Sequence, residues 1–522
     1  MKSITIKTKT ALNHLVIVCG MLVFFNSCTK KYDEINTDKN SIADAGTAEL
    51  PFLFSGAIAS IPWGDQVAEN LYSDQYAQYF ACTAAYFPTD RYVIVPEWAQ
   101  NNFDPMYTKV LPQLQTIYSK TDPTSAEYAL ASIWQVYAFH RVTDYFGPIP
   151  YFKAGQPGSS VPYDPQDKIY DDFFKRLDSS VNVLKTKTDQ HPFGNYDLIF
   201  NGDVNKWIKF ANTLRLRLAL RISNVDPERA KTEAETAYAN GVLTSSPEDD
   251  VYAPKNTLDP NRLSQMTTWN EFRMSATMES VLKGYNDPRI SEYFVPAVAT
   301  GTYEGLRNGL TPDQLGDDAN KVDVNSHVGP RWADPGSGGI AGYLETPANI
   351  MGAAEAYFLR AEGALKGWEM GGTAKELYEA GISNSMKQWG ITDNAAIDAY
   401  INNTATPVAP DDFLNSPAVS NIPVKFSSDP NTQLKQIATQ KWIALFPDGM
   451  EAWAEVRRSG NVSLYPVANS ENTEITDPST QWIRRIPFLL SEKLSNGEEV
   501  DKAVNLLGGE DKITTPLWWD KN

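Results

Sequence analysis

AEYALASIWQVYAFHRVT, residues Ala126 to Thr143, is the stretch that sets the fold class of this 522-residue chain. Its apolar side chains recur at three- and four-residue spacing, the period that gathers them on one face of an α-helix. The preceding DPTS (Asp122 to Ser125) supplies cap residues whose side-chain oxygens satisfy the free N–H groups of a first turn. Seven further stretches repeat the pattern. Asp167 to Leu184 comes next, then Val204 to Ile222 and Pro227 to Asn240, the last with proline in its first turn and Gly241 just beyond its end. Ala348 to Leu365 is followed by Thr373 to Trp389, and Asn431 to Leu445 by Gly449 to Ser459. The eight predicted helices fall into four successive pairs, within 126–240 and 348–459.

A mostly α fold follows, with helix above the ~30–35% typical of soluble domains. Small residues mark where paired helices approach: Ala354, Ala361, Gly363 and Ala364 stand against Ala374, Ala380 and Gly381. Each pair resembles the helix–turn–helix unit of tetratricopeptide repeats, although the consensus Trp-Leu-Gly-Tyr spacing is absent. An ordinary helical bundle is the alternative.

Two insertions interrupt the array. Leu50 to Trp98 contains a helical stretch (Glu69 to Phe80) and ends in CTAAYFPTDRYVIVPEW, beyond which a helix runs toward Tyr118. Leu243 to Pro347 is rich in Gly, Pro, Asn and Asp, with one clear helix at Ser275 to Gly284. Such composition makes loops, short strands and turns, and loops on a rigid frame are where binding residues concentrate.

The N-terminus reads as a targeting segment. Lys2, Lys7 and Lys9 precede the apolar run Leu15 to Phe25, which is too short for the ~20 residues a bilayer span needs. Ser27 then precedes Cys28, with Phe25 and Asn26 where Leu and a small residue are commoner. A cysteine at the cleavage point is what a lipoprotein signal requires, because its thiol takes a diacylglycerol and becomes the new N-terminus. Residues 1–27 are therefore expected to be a lipoprotein signal peptide and Cys28 the lipidated residue. A plain signal peptide with an incidental cysteine is the alternative. Residues 28–47 are polar and lack the apolar side chains that offset ordering entropy, so they read as a flexible tether. Two or more acyl chains hold a protein stably on a membrane where one does not. Residues 48–522 then form one domain.

Composition excludes several classes. The formal charge is −18, and loss of residues 1–27 removes three lysines and no acid, leaving −21. Such a chain repels phosphate backbones, which argues against nucleic-acid binding. Beyond Cys19 and Cys28 only Cys82 remains, so no disulfide framework exists. His140, His191 and His327 lie far apart, a poor supply for a zinc site or a histidine-dependent triad. The glycines of GSGGIAG (Gly336 to Gly342) lack a following GK[ST], and DQLGDDANKVD (Asp313 to Asp323) lacks EF-hand spacing. No cofactor is expected, and no metal-binding or catalytic residue is assigned; a structural calcium stays open. Aromatic residues make up 11% of the chain; most belong in the core, and those in the loops are available for binding.

Taken together, SCTKKYDEINTDKN, ASIWQVYAFHRVTDYFGPIPY, FANTLRLRLALRIS and YNDPRISEYFVP resemble the SusD/RagB-like outer-membrane lipoproteins of Bacteroidetes, in the branch called SusD-like 2. IMGAAEAYFLRAEGALKGW, QKWIALFPDGMEAWAEVRRSG, RRIPFLLSEKLSNGEEVDKAV and LWWD continue the match in family order. The resemblance implies a non-enzymatic lipoprotein of the outer membrane, its anchor on Cys28, facing the cell exterior. Asp33 and Glu34 resemble the family's acidic surface-export signal. It further implies a SusC-like TonB-dependent β-barrel transporter as partner, met by the helical pairs, and an oligosaccharide as ligand, with peptide taken by some members.

A sugar ring offers apolar C–H faces and a rim of hydroxyls, so aromatic rings outside the helical pairs are the candidates for stacking. These are Tyr86, Tyr92 and Trp98 in the first insertion and Trp269 and Trp332 in the second, with Arg273, Asn101 and Asn102 as hydroxyl partners. Core packing is the competing role for each ring. A surface glycoside hydrolase, whose carboxylate separation is a three-dimensional quantity, and a helical scaffold without small ligand are the alternative functions.

Overall fold

The Ser125 hydroxyl accepts a hydrogen bond from the Tyr128 N–H at 3.1 Å and starts a helix over Ala126–Phe146. The computed structural model describes residues 46–156, 158 and 160–522. Cys28, the signal segment and nearly all of the expected tether lie outside the described residues. Pro51–Asn522 forms one unit.

The helix pairs are Ala126–Phe146 with Gln166–Leu184, Val204–Arg221 with Pro227–Ala239, Ala353–Leu365 with Ala374–Gln388, and Pro430–Leu445 with Gly449–Ser459. Partners pack along each other, and the array continues from pair to pair. Val204–Arg221 touches both helices of the first pair and Ala353–Leu365, which in turn touches Pro430–Leu445. The mostly α, tetratricopeptide-like fold expected from the period is the one observed. Caps agree with the chemistry: Asp203, Asp226 and Asp448 each accept from backbone N–H groups of the helix they precede, and Thr373 with Glu376 closes a capping box. The small residues serve close approach, since a Cβ added at Gly381 falls 2.7 Å from the Phe358 ring.

The first helix departs from the amphipathic reading. Nineteen of its twenty-one residues are buried, including His140, Arg141 and Asp144. Its polar residues face an internal ion-pair network rather than solvent. Arg141 pairs with Glu69 and, at 3.4 Å, with Asp448. Arg221 pairs with Glu451 at 2.5 Å and Asp144 at 3.3 Å. Lys441 and Arg458 share Glu455, and Arg458 also pairs with Glu362. Every pair of helices contributes a charge, so the network fixes how the pairs stack; a buried ion pair specifies geometry at a desolvation cost its partners must offset.

Two boundaries differ from those expected. Ala348–Met351 is a strand, paired antiparallel with Val251–Ala253, and the helix begins only at Ala353 after extended Gly352. The ladder overrides the apolar period across those residues. In the first insertion the helix is a π-helix over Gln66–Asp74, and Phe80 opens a strand instead of closing a helix. A further helix at Leu50–Ala59 occupies sequence expected to be loop. Two other two-stranded ladders join Phe80–Cys82 to Phe272–Met274 and Ile149–Pro150 to Tyr163–Asp164. Among the described residues no helix is long and apolar enough to cross a membrane.

Candidate functional site

The ladder of Phe80–Cys82 with Phe272–Met274 joins the two insertions. Cys82 stands opposite Phe272, so the chain leaving the first strand (Thr83 to Phe87) lies beside the chain entering the second (Trp269 to Glu271). The Thr83 N–H donates to the Glu271 carbonyl at 3.0 Å and its hydroxyl to the Asn270 carbonyl at 2.6 Å. At this end of the ladder the rings are uncovered: Tyr86 is 69% and Trp269 46% exposed. Phe87 packs edge-on between Tyr86, at 4.6 Å between centroids, and half-buried Trp98, at 5.4 Å.

Polar contacts hold this row in place. The Tyr86 hydroxyl donates to Glu271 at 2.5 Å, which raises the phenol to about 12 and keeps it protonated. Gln66 donates to the other oxygen of Glu271. Behind the loop, Asp90 accepts from Cys82 N at 3.1 Å, Asn308 Nδ2 at 2.8 Å and Gly309 N at 3.1 Å. Arg91 reaches the Ala85 carbonyl at 3.4 Å and Glu471 at 2.6 Å. The result is a fixed, water-facing row of rings with one carboxylate beside it. Rings so placed have the geometry to stack on apolar faces of a ligand, and the Glu271 carboxylate has the chemistry to accept from hydroxyls.

The other expected site residues are turned inward. Tyr92 is buried, with φ +66°, its ring 5.8 Å from Tyr76. Trp332 is 3% exposed and packs on Trp389 and Phe446, at the wall of a cavity. Arg273 is buried and bonded to the Val322 and Phe272 carbonyls and to Asn270 Oδ1, so it braces its own loop and is turned away from solvent. Burial pulls its guanidinium down to about 10, still charged at neutral pH. Asn102 donates to the Ala68 carbonyl and Asn101 to that of Trp98, so both amides serve the backbone. Thus Tyr86 and Trp269 lie in segments that meet at the ladder and Trp98 joins them through Phe87, while Tyr92, Trp332 and Arg273 are set into the interior. Phe87, Glu271 and Asp90 were not singled out from sequence. Phe87 had a signal, standing next to Tyr86 in AAYFP; the carboxylates had none, because their partners come from distant segments.

Residues 30–520 match the model of the SusD-like family, described as SusD and RagB outer membrane lipoprotein. Among solved structures, a chitin-binding SusD homolog from Flavobacterium johnsoniae is 36% identical, with 91% of this chain and 99% of that chain covered and a TM-score of 0.82. A SusD homolog from Bacteroides vulgatus is 32% identical over 90% and 98% of the two chains, at a TM-score of 0.80. One from Bacteroides uniformis is also 32% identical, over 91% and 99%, at 0.81. No curated protein matches the chain.

Proposed function

This chain belongs to the SusD-like family of outer-membrane lipoproteins, and on that premise we propose that it captures oligosaccharide at the cell surface and delivers it, without cleaving it, to a SusC-like β-barrel transporter. The observation that carries the reading is the ladder between Phe80–Cys82 and Phe272–Met274, which sets the exposed rings Tyr86 and Trp269 on segments from two distant insertions. Ring stacking is tolerant of sugar identity and suits a protein that binds a polymer fragment and then releases it. One ring does not suffice: a Kd near a micromolar needs about 8 kcal/mol of net binding free energy. The row Tyr86, Phe87 and Trp98 with Trp269 offers several rings, and Glu271 an acceptor. Because a chitin-binding SusD homolog is 36% identical, chito-oligosaccharide is the first ligand to try. Anchorage through Cys28 and exposure to the exterior belong to the same proposal.

Calorimetry against a panel of oligosaccharides that includes chitohexaose tests it. Tyr86→Ala and Trp269→Ala are expected to weaken binding of the best ligand at least tenfold with unchanged melting temperature. Normal affinity in both variants would move the site elsewhere. Release of new reducing ends from the bound oligosaccharide would make the protein a hydrolase instead.

A further inference from the structure

A cavity of about 340 Å³ opens where the insertions meet the ends of the third and fourth helix pairs. That is within the size range of small-ligand sites. None of the rings of Tyr86, Phe87, Trp98 and Trp269 lines it. Its walls carry Trp63, Trp332 and Trp389, and its polar lining includes the carboxylates of Glu69, Asp74 and Asp448. Two of these are accounted for. Glu69 pairs with Arg141, while Asp448 faces Arg141 at 3.4 Å and caps the helix Gly449–Ser459. Asp74 is different: among the described residues no ion pair includes it. Its Oδ1 is buried without a hydrogen-bond partner, and so is Nε1 of Trp389 across the same cavity. The two residues are 3% and 4% exposed. The one cation in the lining, Arg331, stands 4.0 Å over the Trp389 ring. The backbone has made room for Asp74, since a Cβ at Gly449 would fall 2.2 Å from its Oδ1.

A buried carboxylate oxygen without a partner is costly, and aromatic faces around it attract positive charge. We propose that this cavity binds a small organic ammonium group, such as that of an amino sugar, with Asp74 as its counter-ion. Burial, then the negative charges of Glu69 and Asp448, raise the Asp74 carboxyl well above the usual range, with Asn70 and Arg141 opposing. An arriving ammonium ion opposes that rise and favours the ionised carboxylate, and any proton displaced leaves to solvent, so charge balances. This site is independent of glycan capture at Tyr86.

Calorimetry of glucosamine, N-acetylglucosamine and glucose at neutral pH tests the proposal. Glucosamine is expected to bind at least tenfold more tightly than the other two. Asp74→Asn, which keeps the shape and removes the charge, is expected to abolish that preference, while Tyr86→Ala leaves it intact. Equal affinities, or an undiminished preference in Asp74→Asn, would overturn it. The preference is read on the unmodified protein, so it decides the matter even if Asp74→Asn does not fold. Oligosaccharide binding, measured separately through Tyr86→Ala, decides the capture reading on its own.

Discussion

The Arg217 guanidinium grips both oxygens of Glu355, Nε to Oε1 and Nη2 to Oε2, each at 2.7 Å, across the joint between the second and third helix pairs. Both side chains are buried to within 2% of full cover. Removing one partner of such a pair strands the other charge in a dry interior, at a cost of about 3–5 kcal/mol. Arg217→Met and Glu355→Gln are each expected to lower the melting temperature markedly, whereas the double change to well-packed apolar residues should cost much less than the sum. Additive losses in differential scanning calorimetry would show that the pair is not a unit.

Titration of the interior makes stability depend on pH. Burial raises Glu455, but the charges of Arg458 and Lys441 overcome it and hold the carboxyl down at about 2, against 4.5 when unfolded. Its stabilisation is present above the unfolded value and is lost as pH falls from about 4.5 toward 2. Asp90 and Asp250 work oppositely: burial outweighs their hydrogen bonds and puts both at about 6. Since their folded forms bind protons more readily than the unfolded chain, they favour folding as pH drops from neutrality through 6. Buried His140 and His327 oppose them, because burial holds both imidazoles below their ordinary value and their stabilisation is lost as pH falls below about 6.5. The melting temperature is expected to fall steeply below about pH 4, where Glu455 and His327 withdraw stability together. A melting temperature that stays level below pH 4 would contradict this assignment.

Trp332 and Tyr86 make a contrasting pair. Trp332→Ala removes a ring packed against Trp389 and Phe446 and should destabilise the fold by about 3–5 kcal/mol, read as a lowered melting temperature. Tyr86→Ala removes an exposed ring and should leave the melting temperature unchanged.

At Gly381 an added methyl meets the Phe358 ring at 2.7 Å, and an aromatic ring wedged between helices has little room to yield. Although alanine is the better helix former, Gly381→Ala is expected to lose stability by about 1–3 kcal/mol through overpacking. A variant that melts at or above the parent temperature would mean that the third pair is loosely packed.

Anchorage and partnership are tested in membranes. With Cys28→Ser the protein is expected to leave the membrane fraction, because no acyl chain holds it. The parent protein, solubilised in mild detergent, is expected to bring a large β-barrel with it. Retention of unprocessed Cys28→Ser protein in the membrane would remove the anchor.

The helical pairs are legible in the chain alone, because a 3.6-residue apolar period and its caps are local properties: Ser125, Asp203, Asp226, Thr373 and Asp448 each act on residues two or three positions away. The sequence also named the loops in which exposed rings occur. Which rings face water and what the buried charges touch follow from the packing of distant segments. Tyr86 and Tyr92 lie six residues apart in one loop, yet one is exposed and the other buried, because the left-handed turn at Tyr92 directs its ring onto Tyr76. Arg217 and Glu355, like Tyr86 and Glu271, are separated by more than a hundred residues. No local pattern encodes such pairs. Their geometry exists only once the helix pairs have stacked and a three-residue ladder has drawn the two insertions together.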